Sequence, residues 1–328
     1  MDKKIRLALA AQAYRDDLVR LVDHDLRGCE HLVATRHGLF AIDTERARLV
    51  AYGQYYGVAV RGDVIFAFEA CDRPRHRTFL GRIVWFRHDG VRVLAAGVFA
   101  AGLDNGCHQM DFIDDRLHLL DTYNQRVLRF PRKGGAPDIM RPIAGGENRE
   151  WTRGYVHINS LIAVGEDILL LLHNGADRTG RPSEIARFDR DWRLIDRSPL
   201  DGLGCHGFAI LEDGAILSCG SLAGELVSTG GLGVKVCDMM TRGLSVDDRQ
   251  IVVGGSAFAE RSARDEVDGK VFFLDRDYRR FAEVPVVAPP MEIRRIDGRD
   301  RSLSTHLASI GATESIPKGR PPDTSQPA

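Results

Sequence analysis

The sequence predicts an all-β protein, a six-bladed β-propeller in which N- and C-terminal strands close one shared blade. Two observations favour this fold: a repeat of roughly 40 to 50 residues, and many short strand-like runs separated by turn residues. A third is the absence of long helical periodicity after about residue 30. A doubly wound α/β fold requires helices that alternate with strands, and the sequence lacks this alternation.

The repeat consists of a turn, one polar or aromatic residue, a few alternating apolar residues, and a second turn with Asp or Gly. Five segments show it, beginning at Tyr56, His108, His157, His206 and Arg242. Successive starts lie 52, 49, 49 and 36 residues apart, close to the length of one four-stranded blade, which is about 40 to 50 residues. We therefore expect each start to open the innermost strand of a blade.

Further strand-like runs follow each start. Residues 117–122, 168–173 and 270–275 are rich in β-branched, leucine or aromatic residues, and Asp, Gly and Asn turns separate them from the next runs. These runs supply the outer strands of the predicted blades.

The two ends of the repeat region complete each other. Residues 31–52 read as three outer strands without an inner one, and residues 291–296 read as the missing inner strand. Their pairing would remove the open sheet edges of the ring. We predict six blades: five that begin with a repeat start and one that the two ends share. Five or seven blades stay open, because the shared blade contains no repeat start of its own.

This organisation places the propeller domain at residues 28–303. Residues 1–27 are predicted to cover one face, with 18–22 as a short helix or strand. From residue 304 to 328 the chain is rich in Ser, Pro and Gly, which predicts a disordered tail.

Composition excludes several functions. Lys and Arg number 45 against 46 Asp and Glu, for a net charge of −1, so we expect no nucleic-acid or membrane partner. The 6 cysteines are scattered without a CxxC pair, which argues against a zinc knuckle or a disulfide framework. The N-terminus weakly resembles a signal peptide, but Arg6 interrupts it, so we predict a cytoplasmic protein. The oligomeric state is left open.

Three histidines share the repeat's first position, and in a propeller that position faces the central channel. His108, His157 and His206 should therefore meet around the axis, where neutral imidazoles can bind a divalent transition metal. Zinc is the first choice, with iron or copper also suited to imidazole. The alternative is that each is a hydrogen-bonded core histidine; their common position favours the metal site.

The same position in the other two repeats holds Tyr56 and Arg242, which we predict to be catalytic. A phenol beside a metal can take a proton, and a guanidinium can hold a carboxylate through two hydrogen bonds. The alternative for both is channel packing with an internal salt bridge.

In each blade the second strand runs antiparallel to the first, so the end of the second strand should lie beside the start of the first. Both should therefore lie at the same mouth of the channel. This places Glu69, Asp121, Tyr123 and His173 around the predicted metal site. Ligating histidines usually donate their other N–H to a carboxylate or carbonyl, and Glu69 or Asp121 could accept it. The alternative for residues 121–126 is a turn common in propeller blades.

Residues 117–130 resemble the NHL-type repeat, a six-bladed propeller family. The predicted ring is similar to the channel of the peptidyl-hydroxyglycine lyase half of peptide-amidating enzymes. That resemblance implies zinc held by His108, His157 and His206, with Tyr56 and Arg242 beside it. Here, unlike in that family, the histidines occupy three consecutive repeats. The calcium-dependent lactonase propellers use Glu, Asp and Asn instead, and only Asn159 matches them.

The leading hypothesis is a metal-dependent enzyme that acts on a small or peptide-like carboxylate at the channel. A lyase or hydrolase comes first, and oxidative chemistry second if the ion is iron or copper. The alternative is a non-catalytic NHL-like propeller that binds a protein or ligand on its face. A third possibility is a purely structural ion that ties blades together.

Overall fold

The computed structural model describes residues 3–73, 76, 78–143, 154–259, 263 and 266–312. Their strands form six antiparallel sheets of four strands each, arranged as the blades of a β-propeller. The predicted fold class and the predicted number of blades are confirmed.

The strands follow one another blade by blade. Blade 1 takes its three outer strands from the N-terminal part: β1 (His31–Thr35), β2 (Gly38–Ile42) and β3 (Ala47–Tyr52). Blade 2 contains β4 (Tyr55–Arg61), β5 (Val64–Ala70), β6 (Gly81–His88) and β7 (Val93–Leu103). Blade 3 contains β8 (Met110–Ile113), β9 (Arg116–Asp121), β10 (Arg126–Phe130) and β11 (Asp138–Met140).

The second half repeats the arrangement. Blade 4 contains β12 (Ile158–Val164), β13 (Asp167–Leu172), β14 (Ser183–Phe188) and β15 (Leu194–Leu200). Blade 5 contains β16 (His206–Ile210), β17 (Ile216–Gly220), β18 (Glu225–Ser228) and β19 (Gly233–Lys235). Blade 6 contains β20 (Met240–Val246), β21 (Gln250–Ser256), β22 (Gly269–Asp275) and β23 (Arg280–Val286), and β24 (Pro290–Arg295) then returns to blade 1.

Blade 1 is shared between the two ends of the ring, as predicted. β24 pairs antiparallel with β1, with Val33 opposite Ile293 and His31 opposite Arg295. The innermost strands β4, β8, β12, β16, β20 and β24 each contact the next one around the channel. The ring therefore closes without an open inner edge.

Apolar side chains pack between neighbouring blades rather than in one central core. Between blades 6 and 1, for example, Val271, Phe273 and Ile293 are buried in one cluster. In the described part of the chain, each of the six blade interfaces has a cluster of this kind. Most side chains that line the cavity in the central channel are consequently polar or aromatic.

The N-terminal segment contains helix α1 (Lys3–Arg15), and its end is attached to blade 2. The buried Arg82 guanidinium donates hydrogen bonds to the carbonyls of Ala13 and Leu18, at 3.1 and 2.6 Å. The helix lies earlier than the predicted element at residues 18–22, where the described structure is an extended bridge from Leu21 to Ala51. Residues 18–22 do not form a helix because Leu21 pairs with Ala51 at the edge of a sheet, and a residue paired in this way cannot continue a helix.

The C-terminal segment closes the channel at the end where the inner strands finish. Asp300 accepts hydrogen bonds from the Ser245 hydroxyl at 2.6 Å and the Val246 amide at 3.2 Å. Helix α2 (Ser304–Ser309) follows, and its Ser304 hydroxyl donates to Asp111 at 2.6 Å. Ordered structure thus continues past the predicted boundary at residue 304, and residues 313–328 lie outside the described residues.

Across the described residues, no helix has both the length and the apolar character needed to cross a lipid bilayer.

Substitution Asp300→Ala should destabilise the propeller by about 2–4 kcal/mol, because it leaves buried donors without an acceptor. Asp300 is fully buried, and Ser245 and Val246 both depend on it. The measurement is the free energy of unfolding from urea titrations. Asp238→Ala, at a side chain that is 98% exposed, is the matched control and should change little. Equal stability of the two variants would contradict the assigned role of the C-terminal segment.

Candidate active site

The predicted ring residues lie together at the mouth of the channel, the end at which the inner strands begin. The pairing register shifts across Tyr56 in β4 and across Arg242 in β20, and directly after His206 in β16, as in a β-bulge. A glycine follows each of them: Gly57, Gly207 and Gly243. At Gly57 a Cβ atom would lie 2.3 Å from the carbonyl oxygen of His108, so only glycine permits this approach. The bulges turn the ring side chains toward the axis.

The imidazole rings form a continuous arc, which we call the histidine arc: His108, His157, His173 and His206. Their ring centroids are 5.2 Å apart for His108 and His157, and 5.1 Å apart for His157 and His173. His173 and His206 follow at 5.0 Å. Tyr56 extends the arc, with its ring centroid 5.7 Å from that of His108. The predicted convergence of distant repeat positions is therefore present.

Backbone carbonyls determine the tautomer of two of these histidines. The Nδ1 atom of His108 lies 2.8 Å from the carbonyl oxygen of Gly106, and that of His206 lies 2.9 Å from Gly204. A carbonyl oxygen can only accept, so each Nδ1 carries the proton. In the neutral ring, Nε2 then holds the lone pair that a metal or a substrate proton requires.

His173 and His157 have different surroundings. The Gly175 amide donates to Nδ1 of His173 at 3.0 Å, so the proton of that neutral ring is on Nε2. Nδ1 of His157 lies 2.8 Å from the Tyr155 hydroxyl. His157 has φ of 54°, a left-handed conformation that non-glycine residues adopt rarely and that is enriched at functional sites. The arc thus contains both proton-bearing and proton-accepting Nε2 atoms.

Burial keeps His108 and His206 neutral. Desolvation, followed by the positive charge of Arg242, lowers the pKa of His108 to about 3. The same two causes hold the pKa of His206 well below its ordinary value. Both rings are therefore uncharged at neutral pH, which is the state that ligation requires.

Tyr56 and Arg242 lie beside the arc as predicted. The Tyr56 hydroxyl is buried and has no hydrogen-bond partner within the described residues, and burial raises its pKa, so it is protonated. Burial and then Arg36 lower the pKa of Arg242 to about 10, which leaves it charged at neutral pH. Its buried Nε also lacks a partner in the described part of the chain.

Two of the four predicted supporting residues serve other purposes. Glu69 is buried and pairs with Arg82 at 2.8 Å rather than with a described histidine. Asp121 binds Arg126 at 2.5 Å and so closes the turn of blade 3. Both carboxylates at these strand ends are therefore paired with a neighbouring arginine.

The other two supporting residues do reach the arc. Tyr123 lies edge-on to His108, with ring centroids 6.3 Å apart. The His173 ring lies as close to the rings of His157 and His206 as His108 lies to His157. The sequence analysis had assigned His173 only a supporting role. Its position directly after the second strand of blade 4 was the feature of the sequence that could have placed it in the arc.

A small cavity lies at the mouth among the inner strands; we call it the channel cavity. Its volume is about 10 Å³, roughly the space that one water molecule occupies. It is lined by Tyr56, His108, Gln109, Asn159, Ser160, His206, Gly207, Arg242, Gly243, Met291 and Glu292. Glu292 was missed by the sequence reasoning, which used β24 only to close the ring and assigned it no channel residue.

A preformed metal site is not present among the described residues, because no three His, Cys, Asp or Glu side chains there are placed to hold one ion. The donor chemistry nevertheless suits a borderline metal, since His108 and His206 are neutral and direct their lone pair through Nε2.

Comparisons with known proteins identify the fold. No protein-family model matches the chain. No curated protein matches it. Among solved structures, a protein of unknown function from Bacteroides caccae is 12% identical, with a TM-score of 0.51 over 82% of this chain and 99% of that one. A putative gluconolactonase is 13% identical, with a TM-score of 0.53 over 86% and 95% of the two chains.

A chain of a nidogen–laminin complex is similar as well, at 8% identity and a TM-score of 0.54 over 84% of this chain and 99% of that one. At such identities the likeness shows the propeller fold alone, because one scaffold hosts many functions. The comparisons give no support to membership of the amidating lyase family.

The neutral state of His108 predicts a loss of stability in acid. Below a pH of about 6.5 an unfolded histidine binds a proton, whereas His108 in the fold does so only near its pKa of about 3. Stability should therefore fall with falling pH across this window, by about 1.4 kcal/mol per pH unit for this residue. Urea unfolding at a series of pH values should show a shallower dependence in His108→Asn. His76→Asn, at a half-exposed loop position, should keep the original slope, and an identical slope in all three proteins would refute the prediction.

Proposed function

We propose that this protein is a metal-dependent enzyme that acts on a small or peptide-like carboxylate at the mouth of the channel. The observation that carries the proposal is the histidine arc, with successive centroids 5.0–5.2 Å apart. Because the opposite end is closed by the segment around Asp300, substrate would enter and product leave through the mouth.

The proposed ligands are His108, His157 and His206, with zinc as the first choice and iron or copper as the second. Since the described residues form no ready group of three, at least one imidazole must turn for these ligands to share an ion. Rotation of a side chain between staggered states is ordinary in a ligand-free site. When bound, the metal would polarise a substrate oxygen or activate water.

The residues around the ligands have distinct proposed roles. Arg242, charged and with an unpaired Nε, would bind the substrate carboxylate through its guanidinium. Tyr56, whose raised pKa keeps the hydroxyl protonated, would donate a proton to the leaving oxygen. His173 would donate a hydrogen bond from Nε2 and so orient the substrate. This set suits a lyase or a hydrolase.

The second candidate is a non-catalytic propeller that binds a small ligand at the same mouth. The absence of a preformed group of three ligands in the described residues favours it. Such a protein would need Arg242 and the arc for recognition but would contain no resident metal. The metal content of the purified protein therefore distinguishes the two candidate functions.

Elemental analysis of protein purified without an affinity tag should find close to one zinc, iron or copper ion per chain. The combined variant His108→Ala, His157→Ala and His206→Ala should lose it, because the three ligands are removed together. A matched control carries His24→Ala, His76→Ala and His306→Ala, which lie outside the arc and should not change the metal content. Wild-type protein that is metal-free, and that added Zn²⁺ does not stabilise against heat, would exclude the enzyme proposal.

Arg242→Gln should abolish a preference for carboxylates. Wild-type protein is expected to bind an N-acetylated amino acid more tightly than the matching amide, because a charged hydrogen bond contributes about 1.5–3 kcal/mol. Calorimetric titration should show a loss of roughly tenfold or more in affinity for the acid in the variant, by the same energy scale. Arg279→Gln, at a side chain that is 78% exposed, serves as the control. Equal affinity for acid and amide in the wild type would contradict the assigned role of Arg242.

A further inference from the structure

A second arginine, Arg36, lies at the mouth of the channel. It directly follows β1, the second strand of blade 1, and His173 has the same position in blade 4. The buried hydroxyl of Thr35 closes the turn that follows, because it donates to the carbonyl of Gly38 at 3.0 Å and accepts from its amide at 3.1 Å. Blade 1 therefore presents a side chain to the mouth from the same strand end as blade 4.

Arg36 and Arg242 both approach Tyr56. The guanidinium carbon of Arg36 lies 5.5 Å from the centroid of the Tyr56 ring. Arg242 lines the channel cavity together with Tyr56. After burial, Arg36 is the largest cause of the lowered pKa of Arg242, so the two positive charges lie close enough to repel each other. An anion that both guanidiniums bind would offset this repulsion.

Polar atoms beside Arg36 are available to a ligand. The Arg242 Nε and the Tyr56 hydroxyl are buried and have no hydrogen-bond partner within the described residues, and Tyr56 is only 3% exposed. Buried polar groups are rarely left unpaired in the working state of a protein. Glu292, the acid that lines the channel cavity, is ion-paired with Arg294 at 2.5 Å and is therefore held by an arginine outside this pair.

Positive charge continues along the rim of the mouth. Lys3, at the start of α1, lies near Arg36 and Arg73: burial is the main cause of its lowered pKa, and the two arginines lower it further. Glu266 is the acid that opposes this shift, and it is ion-paired with Arg6 at 2.6 Å. A rim with this charge attracts anions and raises their local concentration at the mouth.

We propose that Arg36 and Arg242 form a two-arginine site, and that the substrate carries a second oxyanion group beside its carboxylate. This deepens the proposed function and rests on it for the carboxylate that Arg242 binds. The second group, a carboxylate or a phosphate, would bind the guanidinium of Arg36, which lies outside the channel cavity. Either group can accept two parallel hydrogen bonds from a planar guanidinium. Arg36 thus determines specificity for substrates with two anionic groups.

Calorimetric titration of untagged wild-type protein with paired probes tests this inference. The probes are succinate, glutarate and 3-phosphonopropionate, each compared with the half-amide of matching chain length, succinamate or glutaramate. At least one probe with two anionic groups should bind roughly tenfold or more tightly than its half-amide, because the second anion gains a charged hydrogen bond. Comparison of succinate with 3-phosphonopropionate then identifies whether the second group is a carboxylate or a phosphate.

Variants assign the preference to Arg36. Arg36→Gln should lower the affinity for the preferred probe roughly tenfold or more and leave the affinity for the half-amide unchanged. Arg242→Gln should weaken the binding of both, because both probes carry the carboxylate that it holds. Arg279→Gln, at a side chain that is 78% exposed, is the control and should change neither affinity.

Two results would overturn the inference: a wild type that binds no probe with two anionic groups more tightly than its half-amide, or a preference that Arg36→Gln leaves intact. If near-ultraviolet circular dichroism shows that Arg36→Gln is unfolded, Arg36→Lys replaces it. Its ammonium group lacks the planar pair of donors, so a lower affinity for the preferred probe is expected and an unchanged affinity is the refutation.

The metal content of the protein is independent of these titrations. A metal-free protein whose preference for two anionic groups depends on Arg36 would exclude the proposed enzyme and leave the two-arginine site standing. A protein that contains the metal but shows no such preference would leave the enzyme standing and exclude the two-arginine site.

Discussion

The pairing of β24 with β1 is the contact on which the rest of the structure depends. It places Val33 opposite Ile293 and so joins two parts of the chain that lie at opposite ends of the sequence. Without it, blade 1 would lack its inner strand and two sheet edges would be exposed. The inner strands surround one axis only because the ring is closed, and residues about fifty positions apart become neighbours at the mouth for the same reason.

Closure also produces the electrostatics of the site. The apolar clusters occupy the blade interfaces, which leaves a narrow channel where water is scarce and polar groups face one another. Desolvation is the largest cause of the pKa shifts of His108, Tyr56 and Glu292. It keeps His108 neutral, holds Tyr56 protonated and raises the pKa of Glu292 to about 7. A closed channel of this kind thus holds groups that differ in protonation within a few ångströms, as acid–base chemistry requires.

The parts of the fold that follow from periodicity could be predicted from the sequence, and the parts that follow from side-chain direction could not. The repeat located the inner strands, and hence His108, because strand position along the axis is a property of the backbone. Glu69 ends a second strand as expected, yet it turns to Arg82, since proximity of a strand end says nothing about which face its side chain takes. Glu292 was overlooked because its strand belongs to no complete repeat.

The proposed enzyme requires that His108, His157 and His206, from three successive blades, bind one metal ion at the mouth of the channel. Crystals of untagged protein grown with Zn²⁺ and measured at the zinc absorption edge test it most directly. We expect one anomalous peak at the mouth, about 2.0–2.1 Å from Nε2 of His108, His157 and His206. A peak elsewhere, or a mouth with no peak in crystals that contain the metal, would contradict it.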